Sequence, residues 1–301
     1  MSLKITRASD PIAVERLNMV IYGPPGLGKT SLAFTAEAPL LLDFDNGSHR
    51  AINRKDVVIV SSWLDVANIT AEDLAPFKTV VMDTAGRALD SITADIIRTD
   101  PKGHKNGALT LPGYGVLKTR FTTFLKLLNS FGKDVVLIAH MDEQRSGDDI
   151  IERLDVQGGS KGEIYKAADA MGRLSMVNGK MMLRFSPSDA AFGKNPGQLE
   201  PLTVPHFEAP EYADFLGRVI QNTKEKLNAQ TEIQKEAAAE QEWFRATLPK
   251  IDTADELNQL IDRANDGGQA CRVLMRKRAE TLGLAFDSRA RAFVDAHQEA
   301  A

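Results

Sequence analysis

The sequence has little cysteine, few aromatic residues and no long hydrophobic run. Its 301 residues include one cysteine, Cys271, and 6% aromatic side chains. A single cysteine cannot form an intrachain disulfide, which is consistent with a reducing compartment. No run approaches the roughly 18 apolar residues of a membrane span, and the first ten residues do not resemble a signal peptide. We therefore expect a cytoplasmic protein without a membrane partner.

The overall composition is that of a folded protein. Hydrophobic residues make up 43% of the chain and charged residues 26%, which excludes disorder over the whole length. The formal net charge of −4 argues against a basic surface that would hold nucleic acid non-specifically. At about 150 residues per domain, the length predicts two domains, or one domain with an appendage.

The first 215 residues alternate short apolar runs with amphipathic segments. Such runs are typical of strands buried on both faces of a parallel sheet, and the predicted strands are residues 18–22, 40–43, 57–60, 79–83 and 135–140. Residues 115–131 carry one apolar stripe at helical spacing. Asn178-Gly179 separates two further apolar runs, which predicts a β-hairpin. The predicted fold class is therefore α/β with a mostly parallel central sheet.

The remainder of the chain, residues 216–301, has a helical pattern. Residues 222–240 contain few large apolar side chains, which is typical of a solvated helix or a linker. Thr253 and Glu256 form a capping-box pattern, and further helices are predicted near residues 269–282 and 288–299. We predict a C-terminal helical extension, and we expect deletion of residues 222–301 to leave the first domain's ligand binding intact.

A phosphate-binding loop follows the first predicted strand. Its glycines turn backbone N–H groups towards phosphates, and the next helix offers its N-terminal donors. In this motif the lysine contacts the β- and γ-phosphates and the hydroxyl after it can bind Mg²⁺. The predicted ATP-binding residues are Gly23, Pro24, Pro25, Gly26, Leu27, Gly28, Lys29, Thr30 and Ser31.

Acidic and polar residues end three of the other predicted strands. Asp83 ends an apolar strand where ligands of open α/β sheets gather, so we expect it to hold Mg²⁺ together with Thr30. Asp43 and Asp45 share a face by strand alternation, and either can orient water or simply form a turn. His140 is predicted either to sense the γ-phosphate or to be an ordinary solvated histidine.

The order of these parts resembles the RecA-type ATPase core. Within that group, residues 23–30, 41–47, 80–84 and 139–140 resemble the phage RecA/Rad-like ATPases of single-strand annealing, the Sak-type proteins. The resemblance covers roughly residues 15–205 and implies catalytic roles for Lys29, Asp45, Asp83 and His140. Asp45 stands where the family keeps a glutamate. Lys194 resembles a lysine through which a neighbouring subunit contacts the phosphates, although an exposed loop lysine is an equal alternative.

RecA-type cores contact DNA through two loops, and the resemblance places these loops at residues 99–114 and 141–162. Residues 98–133 hold seven basic side chains against one acidic side chain, Asp100, and a tyrosine there can stack on bases. The second loop is less basic. The predicted DNA-binding residues are Lys102, Lys105, Tyr114, Arg145 and Lys161.

The resemblance implies an ATP-dependent protein that binds single-stranded DNA and promotes annealing or recombination. It would act as a homo-oligomer, either a filament or a ring, with ATP at subunit interfaces and a single-strand-binding protein as a further partner of the C-terminal extension. Two alternatives use the same core. One is a helicase-like motor ATPase, and the other is a small-molecule kinase.

Overall fold

A computed structural model of the chain describes residues 6, 10, 12–146, 149–156 and 161–295. It divides into two compact units, one of residues 14–227 and one of residues 228–301 together with the residues before Val14. The division falls within a long helix, later than the predicted boundary at residue 215. Within the described residues, no helix combines the length and the apolar character needed to cross a bilayer.

The first unit is an α/β domain. Its strands are β1 (Asn18–Gly23), β2 (Pro39–Asp43), β3 (Asp56–Ile59), β4 (Thr79–Asp83), β5 (His104–Lys105), β6 (Ala108–Leu109), β7 (Asp134–Ser146), β8 (Asp149–Leu154), β9 (Ala170–Val177), β10 (Lys180–Arg184) and β11 (Leu202–Thr203). Its helices are α1 (Lys29–Ala33), α2 (Leu64–Ala67), α3 (Ala85–Thr99), α4 (Leu111–Ser130), α5 (Lys161–Ala167) and α6 (Phe215–Thr247), the last of which continues into the second unit.

Nine strands of the described chain form one sheet, in the order β11-β10-β9-β1-β7-β4-β2-β3, with β8 paired to β7. The strands from β9 to β3 in this order are parallel to their neighbours, whereas β8, β10 and β11 are antiparallel. The fold is therefore the predicted α/β class with a mostly parallel sheet. The predicted hairpin at Asn178-Gly179 is also confirmed, since β9 and β10 pair across it.

The sheet is buried on both faces because alternate residues of its central strands enter two different cores. In β1, Val20 and Tyr22 pack with α3 and α4 on one face. Met19 and Ile21 pack on the other face with α1 and the first turns of α6. Double burial explains why these strands are continuous apolar runs. Because these strands are parallel, the carboxyl ends of β1, β2 and β4 lie on the same side of the sheet as His140 in the middle of β7.

The C-terminal unit is mainly helical, and its last described residues form a β-hairpin. Its elements are α7 (Ala254–Asn258), α8 (Ile261–Asp266), α9 (Gly268–Thr281), β12 (Leu284–Asp287) and β13 (Ala292–Asp295). Thr253 and Glu256 form the predicted capping box at α7. The predicted helix over residues 288–299 is wrong for its described part. Phe293 instead pairs with Phe286 across the hairpin, and its backbone N–H and C=O both bond to the Asn258 amide.

Candidate functional site

The phosphate-binding loop joins the end of β1 to the start of α1. Gly26 and Gly28 adopt φ angles of 80° and 72°, in the left-handed region that glycine occupies without the Cβ penalty of other residues. Gly23 ends β1 so close to the neighbouring β9 that an added Cβ would collide with the carbonyl oxygen of Leu174. The motif's glycines are thus required both by the turn and by the packing of the sheet.

Lys29 is buried at the base of this loop. Its side-chain Nζ donates to the carbonyl oxygens of Gly23, at 3.0 Å, and Pro24, at 2.8 Å. Burial lowers the pKa of Lys29 to about 8, against the opposing effect of Asp83 and Asp45. A nearby anion would stabilise the charged form of this buried ammonium group, because an opposite charge offsets the cost of removing it from water.

Thr30 and Asp83 meet beneath the loop. The Thr30 hydroxyl donates to Oδ2 of Asp83 at 2.6 Å. Burial raises the pKa of Asp83 to about 6; the Thr30 hydrogen bond opposes this shift, while Asp43 and Asp45 reinforce it. The paired oxygens fit Mg²⁺, which takes oxygen ligands and commonly only one or two from protein, with the rest from phosphates and water. Within the described residues, no group of three or more His, Cys, Asp or Glu side chains could hold a metal alone.

The two aspartates at the end of β2 have different surroundings. Asp43 is fully buried and accepts hydrogen bonds from the backbone N–H groups of Gly47 and Ser48, at 3.1 and 2.8 Å. Asp43 therefore shapes the turn. Asp45 lines the cavity beside the phosphate-binding loop, so it is the carboxylate that can orient water.

His140 extends from β7 directly beside Gly23 of β1 in the sheet register. It is half-buried, and its Nδ1 is buried without a hydrogen-bond partner among the described residues. Burial and, to a lesser degree, the charge of Lys29 lower its pKa. The lowered pKa favours the neutral imidazole, and the residue lines the cavity.

One cavity of about 430 Å³ connects these groups. It is lined by Pro25, Gly26, Gly28, Lys29, Thr30, Ser31, Asp45, Gly47, Arg50, Ala51, Asp83, Ile138 and His140. The side chains that the sequence predicted for catalysis, Lys29, Asp45, Asp83 and His140, all reach it. The combination of a glycine loop, a buried lysine and a Thr–Asp pair is the arrangement that binds a nucleoside triphosphate.

Comparison with known proteins agrees with this geometry. Residues 15–196 match the family described as "AAA domain". The chain belongs to this family. It is accordingly a P-loop ATPase, and the matched range contains every residue of the cavity.

No curated protein sequence matches the chain. Among solved structures, it is similar to one described as "Structural and biochemical analysis of a prototypical ATPase from the type III secretion system of pathogenic bacteria", with 12% identity and a TM-score of 0.36. The alignment covers 53% of this chain and 51% of that chain, so this AAA domain protein spans about half the length of that structure.

Two arginines that the sequence analysis missed flank Asp45 of the ATPase. The Arg87 Nε lies 3.4 Å from Asp45 Oδ1, and an Arg50 guanidinium nitrogen lies 3.9 Å from Oδ2. Arg87 also contacts Asp90, one turn further along α3, at 3.3 Å. Their positions in the sequence could have indicated a place near the cavity. Arg87 lies one helical turn after Asp83, and Arg50 lies just after the turn that follows Asp45. Arginines near both strand ends face the same edge of the sheet.

Lys194 does not line the cavity of this ATPase. Its Nζ donates to the carbonyl oxygens of Tyr165, at 2.6 Å, and Ala168, at 2.7 Å, at the C-terminal end of α5. Its backbone pairs with Met171 at the edge of β9. The ammonium therefore caps a helix in its own chain, a role that the sequence did not indicate.

The first predicted DNA loop is a short hairpin, β5–β6, followed by the start of α4. Lys102, Lys105 and Tyr114 are all exposed there. The basic excess of the surrounding segment is smaller than the sequence indicated, because several of its cations have partners within the fold. Arg98 and Arg120 both bind Asp95, Lys118 binds Glu163, and the Lys133 ammonium donates to the Phe77 carbonyl.

The second predicted loop is largely a hairpin of β7 and β8. The hairpin is anchored by a partly buried ion pair between Glu152 and Arg173 and by Arg153, which lies 4.4 Å from the centre of the Phe192 ring. Arg145 lies in β7 and Lys161 begins α5, but both side chains are outside the described part of the structure. Their predicted DNA contacts stay predictions.

Proposed function

We propose that this ATPase binds single-stranded DNA when it holds ATP and Mg²⁺, and that it promotes annealing or strand pairing as a homo-oligomer. Lys29 would contact the β- and γ-phosphates. Thr30 and Asp83 would hold the metal, which neutralises developing charge on the phosphates. Asp45 would orient the attacking water, and His140 would bond the γ-phosphate. In a single chain the Lys194 ammonium binds two carbonyl oxygens, and its predicted contact with the phosphates of a neighbouring subunit stays a prediction.

The observation that carries the DNA-binding proposal is the exposed surface around β5–β6. Lys102 and Lys105 form no ion pair with any described residue, and Leu111 and Tyr114 are 89% and 45% exposed. Cations that follow a phosphate backbone, together with side chains on which bases stack, are the components of single-strand binding sites. This pairing of features favours nucleic acid over a small phosphoryl acceptor.

The helix α3 provides a physical link between this surface and the nucleotide. It begins immediately after Asp83 and Thr84, whose hydroxyl caps it, and ends at the residues that lead into β5. Fifteen helical residues span about 22 Å. A shift of Asp83 on metal binding would therefore be transmitted along a rigid element to Lys102 and Lys105.

The proposal is tested by the fluorescence anisotropy of a labelled single-stranded oligonucleotide, with and without ATP, at several salt concentrations. We expect ATP-dependent binding that strengthens as the salt concentration falls. The double variant Lys102→Glu and Lys105→Glu should weaken binding at least about tenfold, since each removes a phosphate contact and adds repulsion. Lys126→Glu, an exposed lysine further along α4, is the matched control and should bind nearly as the wild type does.

Binding that is undetectable at low salt, or that does not depend on ATP, would contradict the proposal. ATP turnover measured in parallel separates the alternatives. Turnover stimulated by DNA and coupled to translocation would indicate a motor ATPase. Turnover that responds only to a small-molecule acceptor would indicate a kinase.

A further inference from the structure

The C-terminal unit carries two grooves of similar size on different faces of α6. The first, of about 420 Å³, includes Ile233, Glu236, Glu240 and Asp266 in its lining, and we call it the acidic groove. The second, of about 470 Å³, lies where the last turns of α6 meet α9, and we call it the basic groove. Its lining includes Arg245, Val273 and Leu274.

The acidic groove has a net negative charge that is not compensated locally. Arg263 also lines it, but its guanidinium binds Glu240 at 2.5 Å and lies 3.4 Å from the centre of the Trp243 ring. Glu236 and Asp266 are exposed and form no ion pair with a described residue. Two carboxylates are therefore open to a cationic partner.

The basic groove continues along α9 into exposed cations. Arg276 and Lys277 follow Val273 by one turn, which places them on the same side of the helix, and neither pairs with an acid in the described chain. Arg245 contacts Glu242 at 3.4 Å, and Glu280 lies one turn further along. Among the described residues, the one cation that lines the groove itself is therefore already paired, and the positive charge of this surface comes from Arg276 and Lys277 beside the groove.

Each groove exposes one branched apolar side chain among these charges. Ile233 is 64% exposed in the acidic groove and Val273 is 55% exposed in the basic groove. An apolar centre with a polar rim is the usual composition of a protein interface. The C-terminal unit thus has two such surfaces, each with an exposed apolar side chain, and the charged residues around them are of opposite sign.

We propose that the acidic groove of one chain binds the basic groove of a second copy of this chain. Charge complementarity favours a second copy as the partner, because the C-terminal unit presents negative charge on one face and positive charge on another. Such a contact is head-to-tail, and repetition of it produces a ring or an open helical assembly.

This inference deepens one part of the proposed function, the homo-oligomer, by naming the surfaces that join its subunits. It does not depend on DNA binding. Association is therefore measured by sedimentation velocity of the full chain without DNA, over a range of protein concentrations. In this way, failure of the DNA-binding proposal and failure of the assembly proposal give separate results.

The decisive variants reverse the charge of one groove at a time. The acid-reversed chain carries Glu236→Lys and Asp266→Lys, and the base-reversed chain carries Arg276→Glu and Lys277→Glu. Each alone should associate at least about tenfold more weakly than the wild type, because like charges then face each other. An equimolar mixture of the two should regain wild-type association, since every contact between unlike chains is again complementary. Glu225→Lys in α6 and Arg289→Glu in the C-terminal unit are matched controls, and both should associate normally.

Four results would overturn the proposal. The first is a wild-type chain that stays monomeric at every concentration, and the second is reversed variants that associate as the wild type does. The third is a mixture that stays dissociated although circular dichroism shows both chains folded. A base-reversed chain that associates normally but loses oligonucleotide affinity would show that the basic groove binds nucleic acid instead, and would also overturn it.

Discussion

At the residue scale, Arg87 makes the closer of the two ion-pair contacts of Asp45. Its Nε lies 3.4 Å from one carboxylate oxygen, while Asp90 holds the same guanidinium from the other side. If Asp45 orients the attacking water, loss of Arg87 lets the carboxylate turn away, and small misplacements of reacting groups are costly. Arg87→Gln should therefore lower kcat about tenfold with little change in the KM for ATP.

The matched control for Arg87 is Arg98→Gln. Arg98 lies on the same helix and has an ion pair of the same spacing, with Asp95, but it is remote from the cavity lining. Steady-state ATP hydrolysis should be unchanged in this control, and Arg87→Lys should recover part of the lost kcat. An Arg87→Gln chain that raises the KM instead would show that Arg87 contacts the nucleotide rather than Asp45.

Asp83 gives the nucleotide-free protein a dependence of stability on pH. Burial raises its pKa from 3.8 to about 6, so the folded chain holds this proton more tightly than the unfolded chain. The resulting stability is fully present below about pH 4 and is lost as the pH rises through about 6. The shift corresponds to about 3 kcal/mol. Asp83→Asn cannot titrate and should lack this dependence.

Urea unfolding of the wild type and of Asp83→Asn between pH 4 and pH 7, without nucleotide, measures this effect. The free energy of unfolding of the wild type relative to the variant should fall by about 3 kcal/mol over this range. Mg²⁺ with ATP at pH 7 should stabilise the wild type more than the variant, because a bound cation favours the carboxylate form. If the difference in free energy of unfolding between the wild type and Asp83→Asn does not change with pH, the raised pKa of Asp83 is contradicted.

At the scale of elements, the parallel strands could be predicted from sequence because both faces of each are buried. Val20 and Met19 are neighbours that enter different cores, so the strand has no polar alternation and stands out as an apolar run. The same burial made the site predictable. The phosphate-binding loop, Asp83 and His140 follow such runs, and a parallel sheet brings the ends of these strands to one edge.

The hairpins β7–β8 and β12–β13 could not be predicted in this way, because distant residues determine them. Glu152 is buried by its ion pair with Arg173, and its backbone N–H donates to the Ala190 carbonyl. Phe293 is fixed by the Asn258 amide. Local composition at residues 288–299 favours a helix, with several alanines, but a contact across more than thirty residues determines the structure instead. Long-range contacts of this kind override weak local propensity.

At the scale of the whole molecule, the charge of −4 conceals local distributions of both signs. The basic excess near β5–β6 is reduced by Asp95 and Glu163, neither of which lies within residues 98–133. A count along the sequence cannot find such partners, since the fold brings them from elsewhere. The positive charge available to bind a partner is therefore confined to a small number of exposed cations without an ion pair among the described residues, such as Lys102 and Lys105.

The boundary between the two units determines which truncations keep a working ATPase. Lys224, in α6, binds Asp134 at the start of β7 at 2.6 Å, and Asp134 also accepts the Leu17 backbone N–H at 2.7 Å. Both side chains of this ion pair are largely buried. Removal of one partner leaves a buried charge unpaired, which costs about 3–5 kcal/mol. A chain ending at Leu227 keeps the pair, whereas one ending at Gln221 loses it.

We therefore expect residues 1–227 to fold and to bind ATP as tightly as the full chain, and residues 1–221 to be less stable by about 3 kcal/mol. Nucleotide titration and urea unfolding of both truncations measure the two effects. Lys224→Met in the full chain should reproduce the loss of stability, while Lys226→Met, an exposed neighbour in the same helix, should not. Weaker ATP binding by a folded 1–227 chain would show that the C-terminal unit contributes to the nucleotide site. Equal stability of the two truncations would show that the Asp134–Lys224 pair does not determine where the ATPase unit ends.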